Sequence, residues 1–137
     1  MTGSAALIAL SLGILWLVVA YLLALGIVAL AYPSRALRFL AGFAQSTAAN
    51  VGEAIGRGLV GLAFIAAASR LAISPAGELL GYFLVATSAL MLLFPGVHKA
   101  VAARSVAAVG RRVHWLGIGS ILLAIGLACL LVRPDAA

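Results

Sequence analysis

The chain has 137 residues, of which 66% are hydrophobic and only 9% are charged, and its mean hydropathy is +1.26. A soluble domain carries about 25% charged residues, so this composition excludes an ordinary water-soluble domain and predicts a protein that has lipid as its solvent. The formal net charge of +6 is confined to two segments that separate apolar stretches.

Four apolar stretches predict an all-α integral membrane protein with four transmembrane helices, in a single transmembrane domain that covers 1–137. The predicted spans are about 5–32, 54–73, 78–94 and 115–132. The first ends at Pro33 and the third at Pro95, because proline lacks the amide N–H that continues a helix. No Lys or Arg precedes the first stretch, so it is interpreted as a retained span and not as a signal peptide.

Two basic segments, 34–46 and 98–113, are amphipathic when they are placed on a helix at about 100° per residue. In the first segment, Arg35 and Arg38 lie opposite an apolar side. That side consists of Leu37, Leu40, Phe43 and Ala44. The apolar stripe of the second segment consists of Val101, Ala102, Val106, Val109 and Val113. Both patterns predict helices that lie along a membrane surface.

The order of span, basic segment and span occurs twice. Tyr32-Pro33 and Phe94-Pro95 each close an apolar stretch and precede a basic segment, about 60 residues apart. This recurrence favours two tandem repeats that share one orientation in the membrane. The alternative is that any four-span chain with evenly spaced loops shows such a pattern.

Basic residues are distributed unequally between the two sides of the predicted spans. Six of the nine lie in the basic segments and Arg57 lies near the start of the second span on the same side, whereas only Arg70 and Arg133 belong to the other side. This asymmetry predicts cytoplasmic segments and two outside termini, in a bacterial-type inner (cytoplasmic) membrane. The seven residues are expected to contact anionic lipid headgroups. They are Arg35, Arg38, Arg57, Lys99, Arg104, Arg111 and Arg112.

Two ion pairs are expected near the ends of the spans. Glu53 and Arg57 are four residues apart with the acid first, which favours a pair on one helix face. Arg70 and Glu78 flank the short outer turn and are expected to pair with each other at the interface.

Small residues at four-residue spacing predict a helix-packing interface, because lipid gives helices no hydrophobic reason to associate and close backbone approach must replace it. The interface serves either packing within the bundle or contact with a partner. The candidates are Gly52, Gly56, Gly58, Gly61, Ser120, Ala124 and Ala128.

Residues that would carry chemistry are scarce. Mid-span positions contain no carboxylate, and the chain shows no nucleophile and base set, so no enzyme activity and no cofactor or metal are expected. His98 and His114 are the only histidines, and His114 is the candidate ligand for a pigment or haem because it borders a span. Cys129 is the only cysteine, which excludes an intrachain disulfide.

The length and the four spans resemble the small multidrug resistance exporters, which carry a membrane-embedded Glu in the first span. Here the stretch 5–32 contains no acid, so the residue on which their exchange mechanism depends is missing. Tyr32-Pro33, the basic segment after it and Gly58-Leu59-Val60-Gly61 resemble short bacterial inner-membrane proteins of unassigned function. That resemblance implies no activity.

Three functions remain open. The expected one is a non-catalytic accessory or scaffold subunit that packs against a larger membrane protein complex, or against copies of itself. The alternatives are a small oligomeric transporter or channel and a pigment- or haem-binding subunit. Nucleic acid is not an expected partner, because the basic residues lack the density and the interleaved aromatic residues of such a site.

Overall fold

A computed structural model of the chain describes residues 3–71, 74–110 and 112–132. These residues form six α-helices and contain no strand. The helices are α1 (Gly3–Ala31), α2 (Pro33–Gln45), α3 (Thr47–Ala67), α4 (Ser74–Leu93), α5 (Pro95–Gly110) and α6 (Val113–Val132), and a 3₁₀ turn (Ala68–Arg70) extends α3.

Four helices are long and apolar enough to cross a membrane: α1, α3 with its 3₁₀ extension, α4 and α6. They correspond to the four predicted spans. Helix α3 begins at Thr47, earlier than the predicted start near 54, because the Ser46 hydroxyl accepts a hydrogen bond of 3.0 Å from the Ala49 amide and caps the helix. Helix α4 begins at Ser74 instead of near 78, since Pro75 needs no N–H partner in a first turn.

The two predicted proline boundaries are confirmed. The Tyr32 amide donates to the Val28 carbonyl over 2.8 Å, and the Phe94 amide donates to the Leu90 carbonyl over 2.8 Å. The next residues, Pro33 and Pro95, begin α2 and α5. A proline at these positions leaves the carbonyl four residues earlier without a helical donor.

Helices α1 and α3 form the centre of the bundle, where α6 packs against α1 and α4 packs against α3. Helices α2 and α5 pack against each other, so the two basic helices lie at one end, which we call the basic end. The main core contains Leu15 and Val19 of α1, Phe64 and Ala67 of α3, and Leu127 of α6. Packing thus joins the first half of the chain to the second.

Glycines set the distance between the outer helices and the centre. A Cβ added to Gly61 of α3 would lie 2.8 Å from the carbonyl oxygen of Gly81 in α4. A Cβ added to Gly26 of α1 would lie 2.9 Å from the carbonyl oxygen of Gly117 in α6. Both distances are shorter than real Cβ contacts, so the backbones touch at these two crossings.

The two basic segments differ in how they pack. On α2, Leu37 and Leu40 are partly buried whereas Arg35 and Arg38 are exposed, as the pattern predicted. The pattern also predicted that Phe43 and Ala44 lie on the apolar side, but their side chains lie outside the described part of the structure. Helix α5 has no buried residue, although its apolar stripe faces a cavity described below.

Candidate functional site

A cavity of about 450 Å³ lies at the basic end, where α1, α2, α3, α5 and α6 meet. Most of its wall is apolar and comes from the predicted stripe of α5 and from single residues of α2 and α6. These residues are Leu40, Val101, Ala102, Val106, Val109 and Leu116. The remaining wall is polar and consists of Tyr21, Glu53, Arg57, His98 and Ser105. We call this space the basic-end cavity.

Glu53 is the centre of a charged cluster in the cavity wall. Arg57 donates from Nη2 to Oε1 of Glu53 over 2.9 Å, which confirms the predicted pair. The Nε2 atom of His98 lies 3.4 Å from Oε2 of Glu53. The side chains are only 25% (Glu53), 34% (Arg57) and 17% (His98) exposed. Within the described ranges, no other acidic and basic side chains approach within 4.0 Å of each other.

Local sequence explains how the cluster forms. Glu53 and Arg57 are one turn apart on α3, with the acid nearer the N-terminus, which is the favourable order. Pro95 starts α5 and places His98 in its first turn, facing α3. Lys99 adds a second polar contact between these helices, because its Nζ donates to the Thr47 hydroxyl over 3.1 Å.

A second cavity, of about 410 Å³, lies between α4 and α5 and shares Arg57, His98 and Val101 with the first. Arg57 therefore borders both spaces. Its guanidinium has five N–H donors, and the only hydrogen bond it makes to the described residues is the one to Glu53. Donors of Arg57 thus remain for a molecule that enters either cavity.

The Asn50 side chain replaces a backbone hydrogen bond that is missing where Pro95 interrupts the helical pattern. Its Nδ2 donates to the Met91 carbonyl over 3.3 Å, and the side chain is 1% exposed. In an uninterrupted helix the residue at position 95 would donate to that carbonyl, but Pro95 has no N–H. The Oδ1 atom of Asn50 has no hydrogen-bond partner among the described residues.

The predicted lipid-contact residues occupy three kinds of position. Arg35 and Arg38 of α2, Arg104 of α5 and Arg112 are exposed at the basic end, and Arg35 also lies 5.0 Å from the centre of the Tyr32 ring. Lys99 is partly buried at the contact with Thr47 described above, and Arg57 borders the two cavities. Arg111 lies outside the described residues.

The predicted packing residues separate into two groups. Gly52 and Gly56 are exposed, and within the described part of the chain no atom lies within 4 Å of a Cβ added to either, so neither packs against another described helix. Gly58 lies against Ser88, and Gly61 forms the crossing with α4. The α6 residues pack against the bundle: Ser120 and Ala124 are buried and Ala128 is partly buried.

His98, and not the sequence candidate His114, lies beside a carboxylate. His114 is exposed at the start of α6. In the part of the chain that the structure describes, no group of three or more His, Cys, Asp or Glu side chains could hold a metal ion. Sequence spacing gave no signal for His98, because 45 residues separate it from Glu53.

The expected pair of Arg70 and Glu78 is wrong. Oε1 of Glu78 accepts a hydrogen bond of 3.2 Å from the Tyr82 hydroxyl, which lies one turn further along the same helix. Among the described residues, no carboxylate comes within 4.0 Å of Arg70. Arg70 instead borders a groove between α1 and α6, with Ile8 and Leu131, at the end of the bundle opposite the basic end.

No family model, curated protein or solved structure matches this chain. Function is therefore inferred from the chain's own geometry.

Proposed function

We propose that this chain is a four-span integral membrane protein that acts by association and not by catalysis, as an accessory or scaffold subunit of a larger membrane assembly or of a homo-oligomer. One observation carries the proposal. Only 22% to 33% of the most apolar window of each spanning helix is buried inside the chain. The remaining residues of each window are exposed or partly exposed and are thus open at least in part to lipid or to another subunit.

The exposed face of α3 supports a protein partner. Gly52 and Gly56 leave a shallow strip on this face, beside Ile55 and Leu59, which are 54% and 51% exposed. A strip of small residues beside large apolar ones permits a neighbouring helix to approach the backbone closely. The crossings at Gly61 and Gly26 show the same use of glycine inside the chain.

The distribution of arginines supports cytoplasmic basic helices and outside termini, in a bacterial-type inner membrane. Arg35, Arg38, Arg104 and Arg112 are exposed at the basic end, whereas Arg70 lies at the opposite end of α3. Basic residues are concentrated on the cytoplasmic side of membrane proteins and are attracted to anionic lipid by about 1 kcal/mol each. We therefore propose anionic headgroups as contacts of the exposed arginines.

Helix crossings support a tandem repeat of span, basic helix and span. Gly26 of α1 lies against the Gly117 carbonyl and the Ile121 side chain. At the equivalent position of α4, the Ser88 hydroxyl donates to the Ala54 carbonyl over 2.6 Å and lies 3.0 Å from a Cβ added to Gly58. Thus α1 meets α6 much as α4 meets α3. A small residue on one helix of each crossing makes room for a larger one opposite.

The scaffold proposal is tested by purification in mild detergent after chemical cross-linking in the membrane, followed by mass spectrometry. Gly56→Leu should abolish the cross-link to a stoichiometric partner, or to a second copy, because Leu fills the strip on α3. Gly119→Leu is the matched control, since Gly119 lies on another span with open space around it. A cross-linked species that both variants retain, or a protein that is only monomeric before and after mutation, contradicts the proposal.

The charged cluster favours a small oligomeric transporter or channel as the second candidate. A carboxylate, a guanidinium and an imidazole in one cavity could act on a solute or a proton. Protein in liposomes would then drive a pH-dependent solute flux that Glu53→Gln abolishes. The pigment or haem hypothesis depends on His114 alone and stays a prediction.

A further inference from the structure

We propose that the basic-end cavity binds one phospholipid with a zwitterionic headgroup that carries a primary amine. Arg57 would bind its phosphate, Glu53 would bind its ammonium group, and one acyl chain would lie along the stripe of α5. This inference does not depend on the scaffold proposal, because it concerns a site inside the chain.

The shape and the lining of the cavity fit an amphiphile. Its volume of about 450 Å³ lies within the range of roughly 300–1,000 Å³ that is typical of ligand pockets. The apolar wall includes Val101, Val106 and Val109 of α5 and Leu116 of α6, and Ser105 is the polar residue of α5 among them. The charged cluster borders the same space, so one molecule can contact both surfaces.

The charges of the cluster match a headgroup of both signs. Glu53 and Arg57 carry one formal charge of each sign, so a headgroup that also carries one charge of each sign can pair with both side chains. A primary ammonium donates up to three hydrogen bonds and can share the Glu53 carboxylate, which has more acceptor sites than its two contacts use. The free N–H donors of Arg57 suit a phosphate oxygen. A quaternary ammonium has no N–H and would leave Glu53 without this contact.

The depth of Glu53 in the membrane also fits contact with a lipid headgroup. Glu53 is six residues from the start of α3 at Thr47, which is about 9 Å along the axis at 1.5 Å per residue. Each headgroup region is roughly 5–8 Å thick, so a helix that starts at the membrane surface places Glu53 near the boundary between headgroups and acyl chains. The headgroup of a bound lipid lies at this level.

Lipid retention by the purified full chain tests the proposal. Protein in detergent is equilibrated with phosphatidylethanolamine, phosphatidylglycerol or phosphatidylcholine, and bound lipid is counted by native mass spectrometry. We expect one phosphatidylethanolamine per chain, held at least about tenfold more tightly than the other two, which corresponds to about 1.4 kcal/mol. Soluble O-phosphoethanolamine should not displace it, because the soluble headgroup has no acyl chain for the apolar wall.

Three variants assign the contacts. Glu53→Gln should remove the preference for phosphatidylethanolamine over phosphatidylcholine, and Arg57→Gln should weaken binding of all three lipids. Val106→Trp places a large side chain in the cavity, leaves the residues of the ion pair unchanged and should prevent retention. Arg38→Gln is the control for loss of a positive charge at an exposed site of the basic end, and it should leave the preference for phosphatidylethanolamine over phosphatidylcholine unchanged. Circular dichroism and size-exclusion elution verify that each variant is folded.

Several results overturn the inference. Equal retention of the three lipids means that they only surround the protein. If phosphatidylglycerol binds most strongly and Glu53→Gln increases its binding further, the cavity is a site for anionic lipid. Full retention by folded Val106→Trp means that the lipid binds elsewhere. Displacement by O-phosphoethanolamine means that the cavity binds a soluble amine phosphate and not a lipid.

Discussion

The crossing of α3 and α4 at Gly61 gives the sharpest test of how the bundle is packed. Gly61→Ala adds one methyl group at a point where the nearest atom would be the Gly81 carbonyl oxygen, 2.8 Å away, with Val85 and Leu84 side-chain atoms at 2.9 and 3.0 Å. Ordinary contact begins near 3.4 Å, so the two helices must separate by several tenths of an ångström. Overpacking of this kind costs about 1–3 kcal/mol.

Gly56→Ala is the matched control, because Gly56 lies on the same helix and no atom lies within 4 Å of its added Cβ. Both substitutions replace Gly by Ala within α3, so the gain in helix propensity of about 1 kcal/mol is common to them and cancels in the difference. The difference between the two free energies of unfolding therefore measures packing at Gly61. We expect Gly61→Ala to be less stable than Gly56→Ala by about 1–3 kcal/mol.

The assay is equilibrium unfolding by SDS in mixed micelles, with near-UV circular dichroism as the signal of tertiary packing. Gly81→Ala approaches the same contact from α4, where its Cβ would lie 2.7 Å from the Gly61 carbonyl oxygen, and should lose a similar amount. A difference below about 0.5 kcal/mol, which is the scatter of ordinary surface substitutions, would refute backbone contact at this crossing.

Two further predictions concern the amide of Asn50 and the topology. Asn50→Ala should destabilise the protein by about 1–3 kcal/mol, because the Met91 carbonyl loses its hydrogen-bond donor. This loss should be smaller in the background of Pro95→Ala, which restores a backbone N–H to the same carbonyl. If the two losses add in the double-mutant cycle, Asn50 does not replace the missing N–H. Reporter fusions at Ser74 and after the last residue should both give a periplasmic signal, and a cytoplasmic signal from either one would disprove the proposed orientation.

The helical elements were predictable because their signals are local. Apolar runs of about 20 residues and the prolines at 33 and 95 define most helix ends, and the spacing of Glu53 and Arg57 predicted their ion pair. The starts of α3 and α4 were placed too late. Hydropathy marks where runs of large apolar residues begin, whereas the helices begin earlier, at the polar residues Thr47 and Ser74.

The candidate site could be predicted only in part, because its contacts join distant residues. His98 is 45 positions from Glu53, and Asn50 is 41 positions from Met91, so no spacing rule relates them. The small residues show the same limit. Four-residue spacing predicted packing roles both for Gly52 and Gly56, which face outward, and for residues that pack inside the bundle. The expected partner of Glu78 was wrong because a residue one turn away along its own helix was available.

Packing of each half of the chain against the other half has a consequence for assembly during synthesis. Helix α3 meets α4 as soon as the short connection between them is made, but α1 must wait for α6, which begins 82 positions after α1 ends. Contacts between such distant segments form late. The face of α1 around Gly26 therefore stays uncovered until the last helix enters the membrane. During that interval α6 of a neighbouring copy offers the same complementary surface, so exchange of this helix between chains is the assembly error to which the fold is most exposed.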